Sequence, residues 1–223
     1  MSKVYRTPDD LEAEEIRTIY DSFEVPATDV DCGQLCAPNN PTGKPFCCDI
    51  CHAIPAAYHS EWAYLEKSTC LWRPWTGNEC PSTIIEQQQL FAETPASMTL
   101  LACLGPAKCE RDFRALSCRQ FPFFPYVTSD YRFLGLASEW EFADRCWVLQ
   151  NQDRVTADYR RQFVAIYDRL FALFDEEFEN YAHKSREMRE RYAGLRRRFP
   201  LLHRNGQIYW VSPVSERLAR KVS

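Results

Sequence analysis

Glycine is scarce in this chain, with seven in 223 residues. Neither G-x-G-x-x-G nor G-x-x-x-x-G-K-[ST] occurs, so the phosphate-cradling turns of the common dinucleotide and nucleotide folds are missing. G-x-S-x-G and H-E-x-x-H are absent too, which removes the serine-hydrolase elbow and the zincin helix. Histidine is confined to His52, His59, His183 and His203. No stretch approaches the roughly 18 consecutive apolar residues of a membrane span. The opening Met-Ser-Lys-Val-Tyr-Arg-Thr-Pro-Asp-Asp has no apolar run of the signal-peptide kind. Internal repeats and low-complexity tracts are also lacking. These absences lead us to expect no membrane partner and a cytoplasmic location.

What the chain does hold is a core-forming composition, 45% hydrophobic and 14% aromatic, so it needs no covalent staples merely to fold. That changes the meaning of its eleven cysteines. In a reducing compartment clustered thiols are metal ligands or redox groups more often than bridges, and an odd count suits full pairing badly. Export with disulfides is the competing reading.

Net charge is −4 and unevenly spread. Residues 184–223 hold eleven Lys/Arg against three Glu, a balance of +8, and the remainder balances at −12. A basic tail without a basic face is a poor nucleic-acid footprint, so nucleic acid is not expected as a partner.

Thr7-Pro8-Asp9-Asp10 reads as a helix start, with Ile16, Ile19, Tyr20 and Phe23 at helical spacing behind it. Residues 28–51 turn to Cys, Pro, Asn and Gly, an irregular loop with cysteines at both ends. Pro55 opens a helix carrying Tyr58, Trp62 and Leu65 on one face. An irregular segment over 70–81, a short helix over 84–91 and a buried strand over 98–104 follow. Residues 131–137 suit a strand, and 139–149 a helix that carries Cys146. Val155, Tyr159, Phe163, Ile166, Leu170, Leu173 and Phe174 mark one stripe of a long helix over 153–198, with 182–185 as the place for any break. Asn205-Gly206 suits a type I′ turn in a hairpin over 201–211.

Two cysteine constellations carry the chemistry. The first is Cys32-x3-Cys36, then Cys47-Cys48; the second is Cys103-x5-Cys109-x8-Cys118. Zinc takes four ligands tetrahedrally, and iron–sulfur clusters are also held by four thiolates. Spacing alone does not separate the two. Three thiols do not fill such a site, so the second constellation needs donors from the first or from Cys146. Cys51, shortly after Cys48, competes for a place, and His52 could complete a mixed site. Cys70 and Cys80 flank a Trp/Pro-rich loop and read as buried thiols, with an extra site as the alternative. Arg119 beside Cys118 favours the thiolate or closes a salt bridge. Glu179 and His183 lack the Glu-x-x-His spacing of di-iron bundles, and the acids around them read as a solvated helix face.

C-G-Q-L-C…F-C-C, followed by A-C-L-G-P-A-K-C-E-R-D-F-R-A-L-S-C-R-Q-F-P-F, resembles the bacterial YkgJ-like cysteine-cluster family of zinc- or iron-chelating domains. The likeness covers about residues 32–146, and Cys118-Arg119-Gln120-Phe121-Pro122 is its most specific part. It implies a metal site drawn from Cys32, Cys36, Cys47, Cys48, Cys103, Cys109, Cys118 and Cys146. The loop between Cys36 and Cys47 is longer than the family's. Flagellin lysine-N-methylases share the C-x3-C…C-C cluster and a similar close, which makes a methylase-like enzyme the alternative. No glycine-rich site for a methyl donor is present.

The expectation is therefore an α-rich α+β protein with a cysteine-knuckle metal core, irregular loops, a long C-terminal helix and a terminal β-hairpin. Residues 1–27 would form an N-terminal helix, 28–150 the cysteine-cluster region, and 151–223 the helix and hairpin. It would bind zinc or iron, as a mononuclear site or an iron–sulfur cluster, and the long helix would be the place for a protein partner. Nothing in one sequence sets a base beside a cysteine, so binding is a better expectation than catalysis.

Overall fold

A computed structural model describes residues 6–221. The first five residues and the last two of the basic tail, included in the expectations above, lie outside the described residues. The chain divides into two compact units. One runs up to Glu24 and resumes over Asp31–Phe121; the other joins Val25–Val30 to the chain from Pro122 onward. Helices and antiparallel sheets are both present, so the mixed α+β class holds.

In the first unit the Thr7 signal closes only one turn. Thr7 N and Oγ1 donate to Asp10 Oδ2 at 2.7 and 3.0 Å around a 3-10 turn, Pro8–Asp10. Helix α1 starts afresh at Ala13–Ser22 and buries Ile16, Ile19 and Tyr20. Helix α2 (Cys32–Cys36) and 3-10 turns follow. Pro55 leads into strand β1 (Ala56–Tyr58) rather than opening a helix, and helix α3 begins at His59 and ends at Ser68. Strand β2 (Trp72–Pro74) lies in the segment expected to be irregular. Helix α4 (Ile84–Glu93) starts on a Thr83/Glu86 capping box. Strand β3 (Met98–Cys103) is the middle of a three-stranded antiparallel sheet ordered β1-β3-β2, and its Leu100, Leu101 and Ala102 are buried. Trp75 packs on Leu100 and Ala102. Helix α5 (Leu116–Gln120) completes the unit.

The second unit is a five-stranded antiparallel sheet, β4 (Phe123–Val127), β5 (Phe133–Ser138), β6 (Phe199–His203), β7 (Ile208–Val211) and β8 (Leu218–Arg220), in that order. Between β5 and β6 run helices α6 (Trp147–Gln150), α7 (Ala157–Leu173) and α8 (Asp175–Gly194). All five residues of β4 are buried, which places it among packed neighbours on both faces. Phe124, Tyr126, Ala137, Met188, Phe199, Leu201 and Val211 form one core cluster. Gly135 is required where β5 meets β6: its φ is +142°, and a Cβ there would lie 2.3 Å from the Leu202 carbonyl oxygen.

The single long helix expected over 153–198 is corrected to α7 and α8, and the break falls at Phe174 rather than at 182–185. Phe174 is fully buried in extended backbone, and Asp175, Glu176 and Glu177 then fill the first turn of α8. Acids suit that end of a helix. Phe171 meets Phe178 with ring centroids 4.9 Å apart, and Tyr167 meets Tyr181 at 5.3 Å. These pairs are nearly symmetric about Phe174, so α8 folds back along α7. The apolar stripe of α7 is covered, with Tyr159, Phe163, Ile166, Tyr167 and Leu170 buried.

Helix α8 ends at Gly194, and Pro200 lies inside β6. The expected hairpin is present as β6–β7, but only Gly206 of its turn has positive φ, so the turn is not type I′. Basic residues of this region serve the unit's own contacts: Lys184 with Glu139 (2.7 Å), Arg189 with Glu216 (3.1 Å) and Arg204 with Asp168 (2.8 Å). Among the described residues no helix is long and apolar enough to cross a membrane.

Candidate metal centre

Asp31 caps α2 by accepting from Gly33 N and Gln34 N, which fixes Cys32 and Cys36 one turn apart. Cys36 is buried, and its Sγ lies 3.7 Å from the Gly33 carbonyl oxygen as donor. The loop that follows is organised by a buried carboxylate that the sequence did not reveal. Asp49 Oδ2 accepts from Thr42 Oγ1 (2.6 Å) and Asn40 Nδ2 (3.0 Å), while Asp49 Oδ1 accepts from Cys51 N (3.3 Å). Burial pushes the Asp49 carboxyl up, but the bonds from Thr42 and Asn40 outweigh it and hold it below its ordinary value. The loop thereby presents a 3-10 turn, Phe46–Cys48, in which Cys47 Sγ and Cys48 Sγ are 3.9 Å apart.

The second cysteine segment is held by two other polar groups. Cys103 ends β3, Gly105 turns the chain at φ +91°, and short 3-10 turns lead past Cys109 to α5 with Cys118. Glu61 Oε1, buried in α3, accepts from Leu116 N (2.7 Å) and from Tyr20 Oη (2.6 Å), so a distant side chain caps α5. Arg119 gives its guanidinium to carbonyl oxygens of Tyr20 (2.9 Å), Phe23 (2.8 Å), Asp112 (2.7 Å) and Arg114 (2.9 Å), and stacks over the Tyr20 ring. The Cys118–Pro122 close is thus a clamp on the backbone of α1 and of the 112–114 turn. No local pattern in the sequence announces Glu61 or Asp49; Arg111 and Arg114, basic groups among spaced cysteines, were readable.

Four thiols from these segments lie within one another's electrostatic field. The Cys118 thiol is pushed far up by burial first, then by Cys103 and Cys48, with Arg114 opposing. Burial raises Cys103, with Cys48 adding, and raises Cys109, with Cys48 and Cys103 adding against Arg114. Cys48 moves the other way, to about 7: the hydrogen bond with Cys47 lowers it most, and Arg114 and Arg111 help against burial.

In kind, these sulfur donors suit zinc or an iron–sulfur centre. In a tetrahedral site with zinc–sulfur bonds of about 2.3 Å, neighbouring sulfurs stand roughly 3.8 Å apart, close to the Cys47–Cys48 separation. In closure they do not yet fit: among the described residues no group of three or more His, Cys, Asp or Glu side chains is arranged to hold a metal ion.

Cys51, expected to compete as a ligand, is bonded instead to Cys80 in a disulfide. Cys70 is exposed and Cys80 only half-buried, so the expectation of two buried thiols is corrected for both. Cys146 lies buried in the second unit at the start of α6. His52 is exposed, its ring against Phe46. His183 faces Glu187 at 3.5 Å on the outside of α8, whereas Glu177 of the acidic run is buried rather than solvated.

No family model, no curated protein and no solved structure matches this chain.

Proposed function

We propose that this chain is a cytoplasmic metal-binding protein of YkgJ-like type that holds zinc or an iron–sulfur centre through clustered cysteines. Cys48, Cys103, Cys109 and Cys118 are the nucleus of the donor set, and Cys47, Cys32 and Cys36 are its further candidates. The supporting observation is that the turn held by Asp49 sets Cys47 Sγ and Cys48 Sγ 3.9 Å apart, the sulfur spacing of a tetrahedral thiolate site. Bound zinc would cross-link the two cysteine segments, and an iron–sulfur centre would add one-electron redox chemistry. The chain's own groups do the positioning: Asp49 presents Cys47 and Cys48, Glu61 caps the helix of Cys118, and Arg119 clamps its end.

The protein purified without oxygen and analysed for metals should carry stoichiometric zinc or iron. A broad visible absorption band identifies iron–sulfur, and a colourless metal-loaded protein identifies zinc. Metal-free protein that melts cooperatively at the same temperature as the loaded protein would overturn the proposal.

A further inference from the structure

The outer strands of the second unit carry an exposed indole among unpaired cations. Between Arg196 and Lys221 the chain has seven Lys/Arg and one carboxylate, Glu216. That carboxylate is engaged within the unit: it accepts from Tyr126 Oη (2.8 Å) and Ser129 N (3.0 Å) and pairs with Arg189. Arg204 pairs with Asp168, and Arg220 donates to Gln207. Arg198, Arg217 and Lys221 are exposed and have no ion pair among the described residues. Side chains alternate along a strand. Phe199, Leu201 and Val211 point into the core cluster, so Pro200 and its cross-strand partner Trp210 point the other way, as does Ala219 opposite Trp210. Ser212 N donates to the Arg217 carbonyl (3.0 Å) and Lys221 N to the Ile208 carbonyl (2.9 Å), so the pairing continues past both ends of β8. Arg217 and Lys221 therefore flank Ala219 on the face of Trp210, about 13 Å apart along the strand. Lys221 Nζ lies 5.9 Å from the Trp210 ring centroid, and the indole is 38% exposed. Arg198, two positions before Pro200, extends the same face.

We propose that this face of β7 and β8 binds single-stranded nucleic acid, an activity separate from metal binding. One base stacks on Trp210 over Ala219, the phosphates on either side of it meet Arg217 and Lys221, and Arg198 continues the cationic track. The expectation against nucleic acid rested on a basic tail without a basic face, and strand pairing supplies the face. An aromatic platform flanked by cations holds a single strand without reading its sequence. An acidic peptide would use the cations but leave the indole idle. An anionic bilayer takes up a broad apolar face, whereas alternation puts Trp210 here as the one exposed large hydrophobic side chain among the described residues.

The test is fluorescence anisotropy of labelled oligothymidylate and oligouridylate, about 12 nucleotides long, titrated with the full-length protein at low and raised salt. At least one should bind at low salt, the tighter of the two identifying DNA or RNA as the ligand, and log K should fall linearly with log salt. Trp210→Ala should weaken binding about tenfold or more, and Trp210→Phe should restore most of it. The double variant Arg217→Ala/Lys221→Ala should flatten the salt slope by about 1.4, two single-strand phosphates at about 0.7 each. Circular-dichroism melts matching the parent show that the variants are folded, and the double variant reads the face independently of the indole. Polyglutamate and phosphatidylserine vesicles serve as competitors. Failure of both oligonucleotides to bind at low salt, full affinity in folded Trp210→Ala, an unchanged salt slope in the double variant, or competition by polyglutamate or vesicles as strong as by unlabelled oligonucleotide overturns the proposal. None of these outcomes bears on metal binding.

Discussion

Arg119 directs one side chain at four backbone carbonyls contributed by α1 and by the turn before α5. A guanidinium can do this because its donors are fixed in a planar fork, whereas an ammonium has three donors around one nitrogen. Arg119→Lys should therefore leave about two buried acceptors unsatisfied, at roughly 1–3 kcal/mol each. Urea unfolding should show a loss of about 2–4 kcal/mol, and a loss below half a kcal/mol would show that the clamp is idle. Glu61 supplies a pH test. Burial raises its carboxyl, opposed by the bonds from Tyr20, Leu116 and Tyr58 and by Arg119. A raised folded value means that its contribution is complete below the unfolded value, about 4.3, and is lost as pH climbs through the folded one. Glu61→Gln removes that titration. Stability measured against pH should fall less steeply for the variant than for the parent above about pH 4.3, and parallel curves would refute the assignment.

At the scale of elements, periodicity was readable and interruption was not. The stripe from Tyr159 to Leu170 marked the helical stretch of α7, because it repeats at the spacing of a single helix face; the short helix expected over 84–91 is α4, though none of its residues is buried. The break at Phe174 carries no glycine or proline. It arises from aromatic pairs, Phe171 with Phe178 and Tyr167 with Tyr181, whose packing exists only after the chain has folded back. Strand β4 escaped notice for a related reason: Phe-Phe-Pro-Tyr-Val is apolar without alternation, as suits a strand covered on both sides. The thiols of the candidate site were legible because soft ligands are rare and conspicuous. Their supports, Asp49 and Glu61, were not, since a carboxylate that bonds residues far along the chain looks like any surface acid. Gly135 tests the sheet. With 2.3 Å to the Leu202 oxygen and φ of +142°, Gly135→Ala must push β5 from β6, costing about 3 kcal/mol or more. Denaturant titration reads the loss, and a change under 1 kcal/mol would mean the strands have room to spare.

Over the whole molecule, each unit has hydrophobic residues of its own, Trp75, Leu100 and Ala102 in the first and the Phe124–Val211 cluster in the second. The seven cysteines around the proposed centre, from Cys32 to Cys118, all belong to the first unit. If metal is held there, stripping it with a chelator should raise amide hydrogen exchange over 31–121 while β4–β8, α7 and α8 keep their protection. Equal loss of protection in both units would contradict a centre confined to the first.

The segment Val25–Val30 has a consequence for how the protein is made. Thr28 forms a β-bridge with Val155, and Thr156 N donates to the Ala27 carbonyl at 3.0 Å. Residues that leave the ribosome early must therefore wait for more than a hundred further positions before their partners emerge, and Tyr20 and Phe23 wait 99 and 96 positions for Arg119. Synthesis cannot finish one unit before starting the other. A gene fragment beginning at Pro122 would encode a second unit without the segment whose Thr28 bridges Val155, and grafting 25–30 back through a linker would be the way to express it alone.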